Sequence, residues 1–181
     1  MKTRKLLFTM IAVMTMVFGL TLTAHAEEAP ATKVVGVEGI GTFTVPADWS
    51  DAMYIDNCGT FWFNPAKTAY VGMSTLDRSG KGLAPIEAYA AALKRNVEAT
   101  GVTIIDWQVM KYFGHDAVYG IMAGPGDATF PVDYPALHDA SFECSYNYYL
   151  GNSLMDSFAG ATTVEEFQTI LPVLATYQPA K

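Results

Sequence analysis

The sequence predicts an α+β fold, an α/β/α sandwich in which helices pack on the faces of an antiparallel sheet. Two segments have apolar residues at helical spacing, and seven short segments have the alternation or composition of strands. Turn signals join neighbouring strand segments without an intervening helix. This order favours antiparallel pairing, because parallel neighbours need long crossover connections.

Both helical patterns have start or stop signals. The first lies between Pro85 and Gly101, which suit the first turn and the C-terminal cap of a helix. The second follows Thr163, which forms a capping box with Glu166, and we expect Pro172 to bend this helix or to end its regular part. The apolar positions are Ile86, Tyr89, Ala90, Leu93 and Val97 in the first pattern, and Val164, Phe167, Ile170, Leu171 and Leu174 in the second.

The strand patterns form a series of hairpins. The predicted strands are residues 41–45, 60–63, 69–76, 102–113, 117–123, 140–150 and 153–158. The predicted hairpin turns are Gly114–His115–Asp116 and Gly151–Asn152.

One strand pattern indicates how the sheet is covered. By alternation, Val102 and Ile104 point to one face, and Ile105, Trp107 and Val109 point to the other. A strand that is apolar on both faces is covered on both faces. We therefore expect one helix on each face of the sheet.

The first 26 residues have the three parts of a secretory signal peptide. Basic residues at positions 2, 4 and 5 precede an uncharged stretch, residues 6–23, and Ala24–His25–Ala26 matches the small-x-small cleavage pattern. The alternative is an N-terminal membrane anchor, because about 18 apolar residues can just span a bilayer. The adjoining cleavage motif favours removal after Ala26.

The domain organisation follows from that cleavage. We predict a signal peptide at residues 1–26, a short flexible leader at 27–33 and a single α+β domain at 34–181. No later segment is long and apolar enough to span a membrane. The expected location is the periplasm or the medium.

The charge balance excludes nucleic-acid binding. The chain has 11 Lys and Arg against 18 Asp and Glu, a formal charge of −7. The predicted signal peptide holds three of the basic residues and no acidic one, so the chain after it has eight basic against 18 acidic residues, or −10. A nucleic-acid binder needs surplus basic residues to neutralise phosphates. An acidic surface keeps an exported protein soluble.

The order of elements and several short motifs resemble the PsbP-like superfamily. Gly41–Trp49, with the sequence GTFTVPADW, is similar to the opening strand and Pro-x-x-Trp step of that superfamily. The resemblance continues through the helix at residues 84–100, the Gly-x-x-Ala hairpin at Gly114–Ala117, the hairpin at Gly151–Asn152 and the helix after Thr163. It therefore covers nearly all of the chain after the leader.

This resemblance implies a function without catalysis. The superfamily consists of small α/β/α sandwiches that include extrinsic photosystem proteins, a nuclear-import factor that binds a small GTPase and many exported bacterial proteins. It has no common catalytic residues, so none is carried over. We expect an exported, non-enzymatic accessory or binding protein without a cofactor. We expect its partner to be a protein or a small molecule of the cell envelope.

The alternative is a secreted hydrolase or metal-dependent enzyme that uses His115, His138, Asp127 and Asp133. His115 falls in a predicted turn, and the two aspartates fall in a loop with Pro and Gly. Carboxylates in such a loop are usually exposed to solvent and have no chemical role. There is no Gly-x-Ser-x-Gly nucleophile elbow. An enzyme would need a histidine and a carboxylate within hydrogen-bond reach in one pocket.

A metal site at His138, Asp139 and Glu143 is disfavoured by strand geometry. Asp139 and Glu143 are four residues apart, which is about 13 Å along a strand. His138 would point to the other face. One ion cannot be held by both carboxylates unless the strand starts after Asp139, so we predict no metal site.

The tyrosines of the strand at 140–150 are the most unusual feature. The residues that alternate onto one face, which we interpret as the core, are Phe142, Cys144, Tyr146, Tyr148 and Leu150. Tyr149 falls on the other face with Glu143, Ser145 and Asn147. An aromatic ring among polar groups could bind a sugar, a peptide or a hydrophobic ligand, and this second interpretation stays open.

Cys58 and Cys144 are the only cysteines. In an oxidising compartment unpaired thiols are a liability, so we predict a disulfide between them. The alternative is that Cys144 is a small buried hydrophobe and Cys58 a free thiol in a turn. Cα atoms more than about 7 Å apart could not be bridged.

Overall fold

A seven-stranded antiparallel sheet forms the centre of the computed structural model, which describes residues 30–78, 82–139 and 141–180. The elements along the chain are β1 (Thr32–Val37), β2 (Gly41–Pro46), β3 (Met53–Ile55), β4 (Gly59–Phe63), β5 (Ala69–Asp77), α1 (Ile86–Ala99), β6 (Thr103–Tyr112), β7 (His115–Gly124), α2 (Pro135–His138), β8 (Ser141–Leu150), β9 (Ser153–Ala161), α3 (Val164–Leu174) and β10 (Gln178–Pro179). The central sheet has the order β3-β4-β5-β9-β8-β7-β6, and a second sheet has the order β1-β2-β10. The predicted α+β fold is confirmed.

All seven predicted strands are present, and three strands and one helix were not predicted. β3 and β10 have three and two residues, too few for a periodic pattern. The prediction also missed β1 and the four-residue helix α2. Because β1 begins at Thr32, the last two residues of the predicted leader belong to a strand. The predicted signal peptide, residues 1–26, lies outside the described residues.

One face of the central sheet packs against α3 and the small sheet. Phe43 and Val45 of β2 and the α3 residues Phe167, Ile170 and Leu174 join one buried cluster with strand residues of the central sheet. Within this cluster the hydroxyl groups of Tyr148 and Tyr177 lie 2.8 Å apart, and Tyr177 also donates to the Ile40 carbonyl at 2.9 Å. This face is the main hydrophobic core.

The other face is covered in two places. Ile86 and Ala90 of α1 pack against Val118 of β7. The connection between β7 and β8, which includes α2, packs over β4, β5 and β9. In this second cluster Tyr134, Ala136 and Leu137 of the connection pack against the strand residues Phe61, Phe63, Tyr70 and Phe158. Thus α1 and α3 lie on opposite faces, as the sequence predicted. In the part of the chain that the structure describes, no helix has the length and hydrophobicity needed to cross a membrane.

The prediction that β6 is covered on both faces is wrong, because β6 contains a bulge and lies at the edge of the sheet. Ile104 pairs with Met122, whereas Asp106 pairs with Ile121, so the register shifts at Ile105. After the bulge, Trp107 faces the same side as Ile104. Ile105 is 50% exposed. The apolar residues therefore alternate differently from the simple period of two.

The β6–β7 hairpin turns one residue earlier than predicted. Phe113 and Gly114 form the turn with φ values of 49° and 84°, and His115 is already the first residue of β7. Positive φ at both positions is the backbone of the tight turns that suit a right-handed strand twist. The Gly151–Asn152 turn is confirmed, with φ of 58° at Gly151.

The predicted cap of α3 is present and also ties the helix to the sheet. The Thr163 hydroxyl accepts from the Glu166 backbone N–H at 3.2 Å. The Glu166 carboxylate accepts from the Thr162 hydroxyl at 2.9 Å and from the Thr68 hydroxyl, which precedes β5. Pro172 is accommodated within α3, which ends two residues later at Leu174.

Candidate functional site

A cleft of about 350 Å³ lies between the C-terminal end of α1 and the adjoining ends of β7 and β8. The residues that line it are Asn96, Val97, Thr100, Val102, Met122, Gly124, Pro125, Ser141 and Glu143. Among these residues Glu143 is the only one with an ionisable side chain. The cleft is therefore a mixed apolar and amide-lined recess with one carboxyl group.

Glu143 is held by a tyrosine from another strand. On the face that α1 covers, Glu143 of β8 lies opposite Gly160 of β9, which lies opposite Tyr70 of β5. The Tyr70 hydroxyl donates to Glu143 Oε2 at 2.9 Å. The Tyr70 ring lies directly over Gly160, because a Cβ at position 160 would be 2.4 Å from the Tyr70 hydroxyl oxygen. Gly160 thus makes room for the contact that orients Glu143.

A second carboxyl group, that of Asp156, lies on the same face. Asp156 of β9 pairs with Asn147 of β8 and with Ser74 of β5. Its Oδ1 atom is buried and has no hydrogen-bond partner among the described residues. The Asn147 amide bonds elsewhere, accepting from the Tyr89 hydroxyl at 3.1 Å and donating to the Ser145 hydroxyl at 3.4 Å. We call Glu143, Ser145, Asn147 and Asp156 the polar strip.

The surroundings of the two carboxyl groups in the polar strip disfavour their ionisation. Burial raises the pKa of Glu143, and the Tyr70 hydroxyl only partly opposes this. Burial, and then the charge of Glu143, raise the pKa of Asp156 well above its usual range. None of the ion pairs among the described residues includes either group. Within the described part of the chain, the strip therefore holds two carboxyl groups that have no ion-pair partner.

Tyr149 lies on the predicted face, but α1 reaches over it. Its ring centroid is 6.0 Å from that of Tyr89 on α1, and its side chain is partly buried. It is therefore not an open aromatic platform. On the opposite face, Cys144 and Tyr148 are buried as predicted, and the ring of Tyr146 stacks on that of Tyr112 at 4.2 Å.

The histidines and aspartates of the enzyme alternative do not form one cluster. His115 begins β7, and Asp127 lies three residues beyond the other end of this ten-residue strand. A strand of that length spans about 30 Å. His138 contacts Asp139 at 2.9 Å near Asp127, while Asp133 is exposed. His115 is therefore far from the other three groups.

Asp127 is engaged within its own loop. It accepts from the Thr129 hydroxyl at 2.7 Å and from the Thr129 backbone N–H at 2.9 Å. These hydrogen bonds lower the pKa of Asp127. Over residues 30–78, 82–139 and 141–180, no group of three or more His, Cys, Asp or Glu side chains could hold a metal ion.

The structure does not form the predicted disulfide, since Cys58 and Cys144 are both free. Cys144 is buried in the main core, and Cys58 is exposed in the turn before β4. Strands β5 and β9 lie between β4 and β8. Three strand spacings amount to about 14 Å, twice the separation that a disulfide allows. The alternation that placed Cys144 in the core was correct, but it contained no information on strand order.

Thiol labelling tests this arrangement. We expect two free thiols per chain in the denatured, unreduced protein. In the native protein Cys58 should react much faster than Cys144, because burial raises the pKa of Cys144 to about 12 and also blocks access. A denatured, unreduced chain without free thiols would contradict the structure.

Asp156 was not among the residues predicted from the sequence, whereas Glu143 was considered as a metal ligand and as part of the polar face beside Tyr149. Asp156 interrupts an otherwise apolar or glycine alternation at Leu154, Phe158 and Gly160. An acidic residue at a position that the pattern assigns to a covered face is a usable signal. That signal identifies a single residue, whereas its place on the same face as Glu143 follows only from the pairing of β8 with β9.

Comparison with known proteins identifies the fold. No family model matches the chain, and no curated protein matches its sequence significantly. The solution structure of cyanobacterial PsbP (CyanoP) from Synechocystis sp. PCC 6803 superposes with a TM-score of 0.57 at 8% identity, over 88% of this chain and 98% of that one. LpqN of Mycobacterium tuberculosis, a protein involved in cell envelope biogenesis, gives 0.52 at 10% identity, over 87% and 89%. At these identities the likeness shows the fold alone.

Proposed function

Starting from a PsbP-like fold, we propose that the protein is an exported, non-catalytic binding or accessory protein of the cell envelope, and that its partner enters the Glu143 cleft. The observation that carries this proposal is a preformed recess lined by one carboxyl group, which the Tyr70 hydroxyl orients. Small-molecule and peptide sites are typically concave and largely apolar, with few polar groups that fix orientation.

The arrangement of ionisable groups supports binding rather than catalysis. A general base must lie within hydrogen-bond reach of a nucleophile or of the proton that it takes. Glu143 accepts from Tyr70, and burial together with the Glu143 charge raises the pKa of Tyr70 well above its usual range, so this hydroxyl is a stable donor. His115 and the Asp127 loop lie at opposite ends of β7.

The predicted signal peptide and the charge balance support export. Cleavage after Ala26 would yield a chain that starts at Glu27 and carries an excess of ten negative charges. The LpqN protein, which shares the fold, is involved in cell envelope biogenesis. Intact-mass analysis of the protein recovered from the periplasm or the medium tests this step, and a mass that retains residues 1–26 would contradict it.

Site-specific photocrosslinking tests the binding site. A photoreactive amino acid in place of Asn96 stands at the rim of the cleft, and one in place of Gln168 stands on α3 at the opposite face. Both positions are exposed on helices, so they are matched for accessibility. In the envelope fraction of the producing cell we expect a discrete adduct from position 96 and none from position 168. Equal labelling from both positions, or none, would contradict binding in the cleft.

A further inference from the structure

The two carboxyl groups of the polar strip lie where α1 rests on the sheet. Tyr89, near the start of α1, donates to Asn147, and Asp156 is the direct β9 partner of Asn147. Near the other end of α1, Asn96 and Val97 line the same cleft as Glu143. A charge on either carboxyl group therefore lies close to the contact between α1 and the sheet.

Among the residues that the structure describes, no positively charged group forms an ion pair with either carboxyl group. The titratable and charged groups around it on the α1 side are Tyr70 from β5, Tyr89 from α1, Tyr149 from β8, Arg78 after β5 and Cys58 before β4. Across the sheet they are Cys144, Tyr148 and Tyr177. Burial raises the pKa of Tyr89 and of Tyr149, and the positive charge of Arg78 opposes this at both tyrosines. Arg78 forms no ion pair with either carboxyl group.

An ionised carboxylate in this position needs a hydrogen-bond donor, a cation or water. Among the described residues, Asp156 Oδ1 has no hydrogen-bond donor, and Glu143 has only the Tyr70 hydroxyl as a donor. Burying an uncompensated charge is costly in free energy. The entry of water beside the ionised carboxylate lowers this cost. The cleft beside Glu143 is the open side of the strip.

We propose that Glu143 and Asp156 form a pH-dependent latch for α1. While both carboxyl groups are protonated, α1 packs closely on the sheet. When they lose their protons, water enters along the polar strip, the contact of α1 with β8 loosens and the cleft widens. The proposal concerns how the cleft opens and its test uses no ligand, so it can fail while the proposed function stands.

The direction of the effect follows from proton linkage. Burial raises the pKa of Glu143, and burial with the Glu143 charge raises that of Asp156, so both folded-state values lie above those of the unfolded chain. Their stabilising contribution is complete below the unfolded-state values of about 4. It is lost as the pH rises through the folded-state values, because the folded protein then gives up protons that it binds more tightly.

Two measurements on the mature protein test the latch. The first is the melting temperature at about pH 5 and about pH 8, which we expect to fall by at least about 4 °C between them. The second is hydrogen exchange of α1 and α3 amides, corrected for intrinsic rates, in which α1 should lose protection relative to α3 as the pH rises. Exchange is measured on the unaltered chain and so does not depend on the folding of any variant.

Substitutions assign the effect to the pair. In the double variant Glu143→Gln and Asp156→Asn, we expect the pH-dependence of melting to shrink by more than half and the selective loss of α1 protection to disappear. The control Asp133→Asn removes an exposed carboxylate and should behave like the parent protein. If the double variant keeps the full pH-dependence, or if α1 and α3 lose protection equally in the parent protein, the latch is refuted.

Discussion

Replacing Trp62 with alanine is expected to lower the free energy of unfolding by about 3–5 kcal/mol. The Trp62 side chain is 2% exposed and belongs to the main core. Its ring meets that of Phe43 edge-on at 6.3 Å, so it joins the central sheet to the small sheet. Its removal would leave a large cavity between two layers that pack on each other. Since domains are typically stable by only about 5–15 kcal/mol, this loss is a large fraction of the total.

Urea unfolding followed by circular dichroism measures this loss. Tyr54→Ala is the matched control, because it removes an aromatic ring from β3 that is 71% exposed. A change of less than about 0.5 kcal/mol is expected there. If the two variants lose similar stability, Trp62 does not lie between the two sheets.

Gly160→Ala is expected to lower the free energy of unfolding by about 1–3 kcal/mol, because it overpacks the site. The new Cβ would lie 2.4 Å from the Tyr70 hydroxyl oxygen and 2.5 Å from Cζ of the same ring. That ring cannot move aside cheaply, since Tyr70 is 3% exposed and packs against Phe61 at 5.4 Å between centroids. The substitution therefore also displaces Tyr70 from Glu143.

The variant Tyr70→Phe separates the effect of the steric clash in Gly160→Ala from the effect of losing the hydrogen bond to Glu143. It removes the hydrogen bond to Glu143 without adding an atom, and should cost about 0.5–1.5 kcal/mol if Glu143 then protonates or binds water. Thermal and urea unfolding of both variants give the order of effects. A Gly160→Ala protein as stable as the parent would show that the Tyr70 ring does not lie over this glycine.

The larger elements of the fold could be predicted because their signals are local. The spacing of Ile86, Ala90 and Val97 and the turn at Gly151–Asn152 depend only on near neighbours in the chain. The PsbP-like resemblance placed these elements in one architecture. By contrast, β3 and β10 form because larger elements offer them a strand edge, and no short sequence pattern encodes that.

The site was not predictable because it is made by pairing between distant strands. Tyr70 and Glu143 are 73 residues apart in the chain, and their contact depends on β5 and β8 flanking β9. The disulfide prediction failed for the same reason. Strands β5 and β9 separate β8, which carries Cys144, from β4, which follows Cys58. Alternation gives the face on which a residue lies, and only strand order gives its neighbours.

Carbon-13 NMR of the side-chain carboxyl groups of Glu143 and Asp156, followed as a function of pH, measures the property on which the site depends. Signals are assigned with Glu143→Gln and Asp156→Asn. Both groups should titrate above the ordinary values of about 4.3 for Glu and about 3.9 for Asp, with the larger displacement at Asp156. Titration of both groups at or below the ordinary values would mean that a cation or additional donors compensate them, and it would contradict the uncompensated carboxyl pair beneath α1.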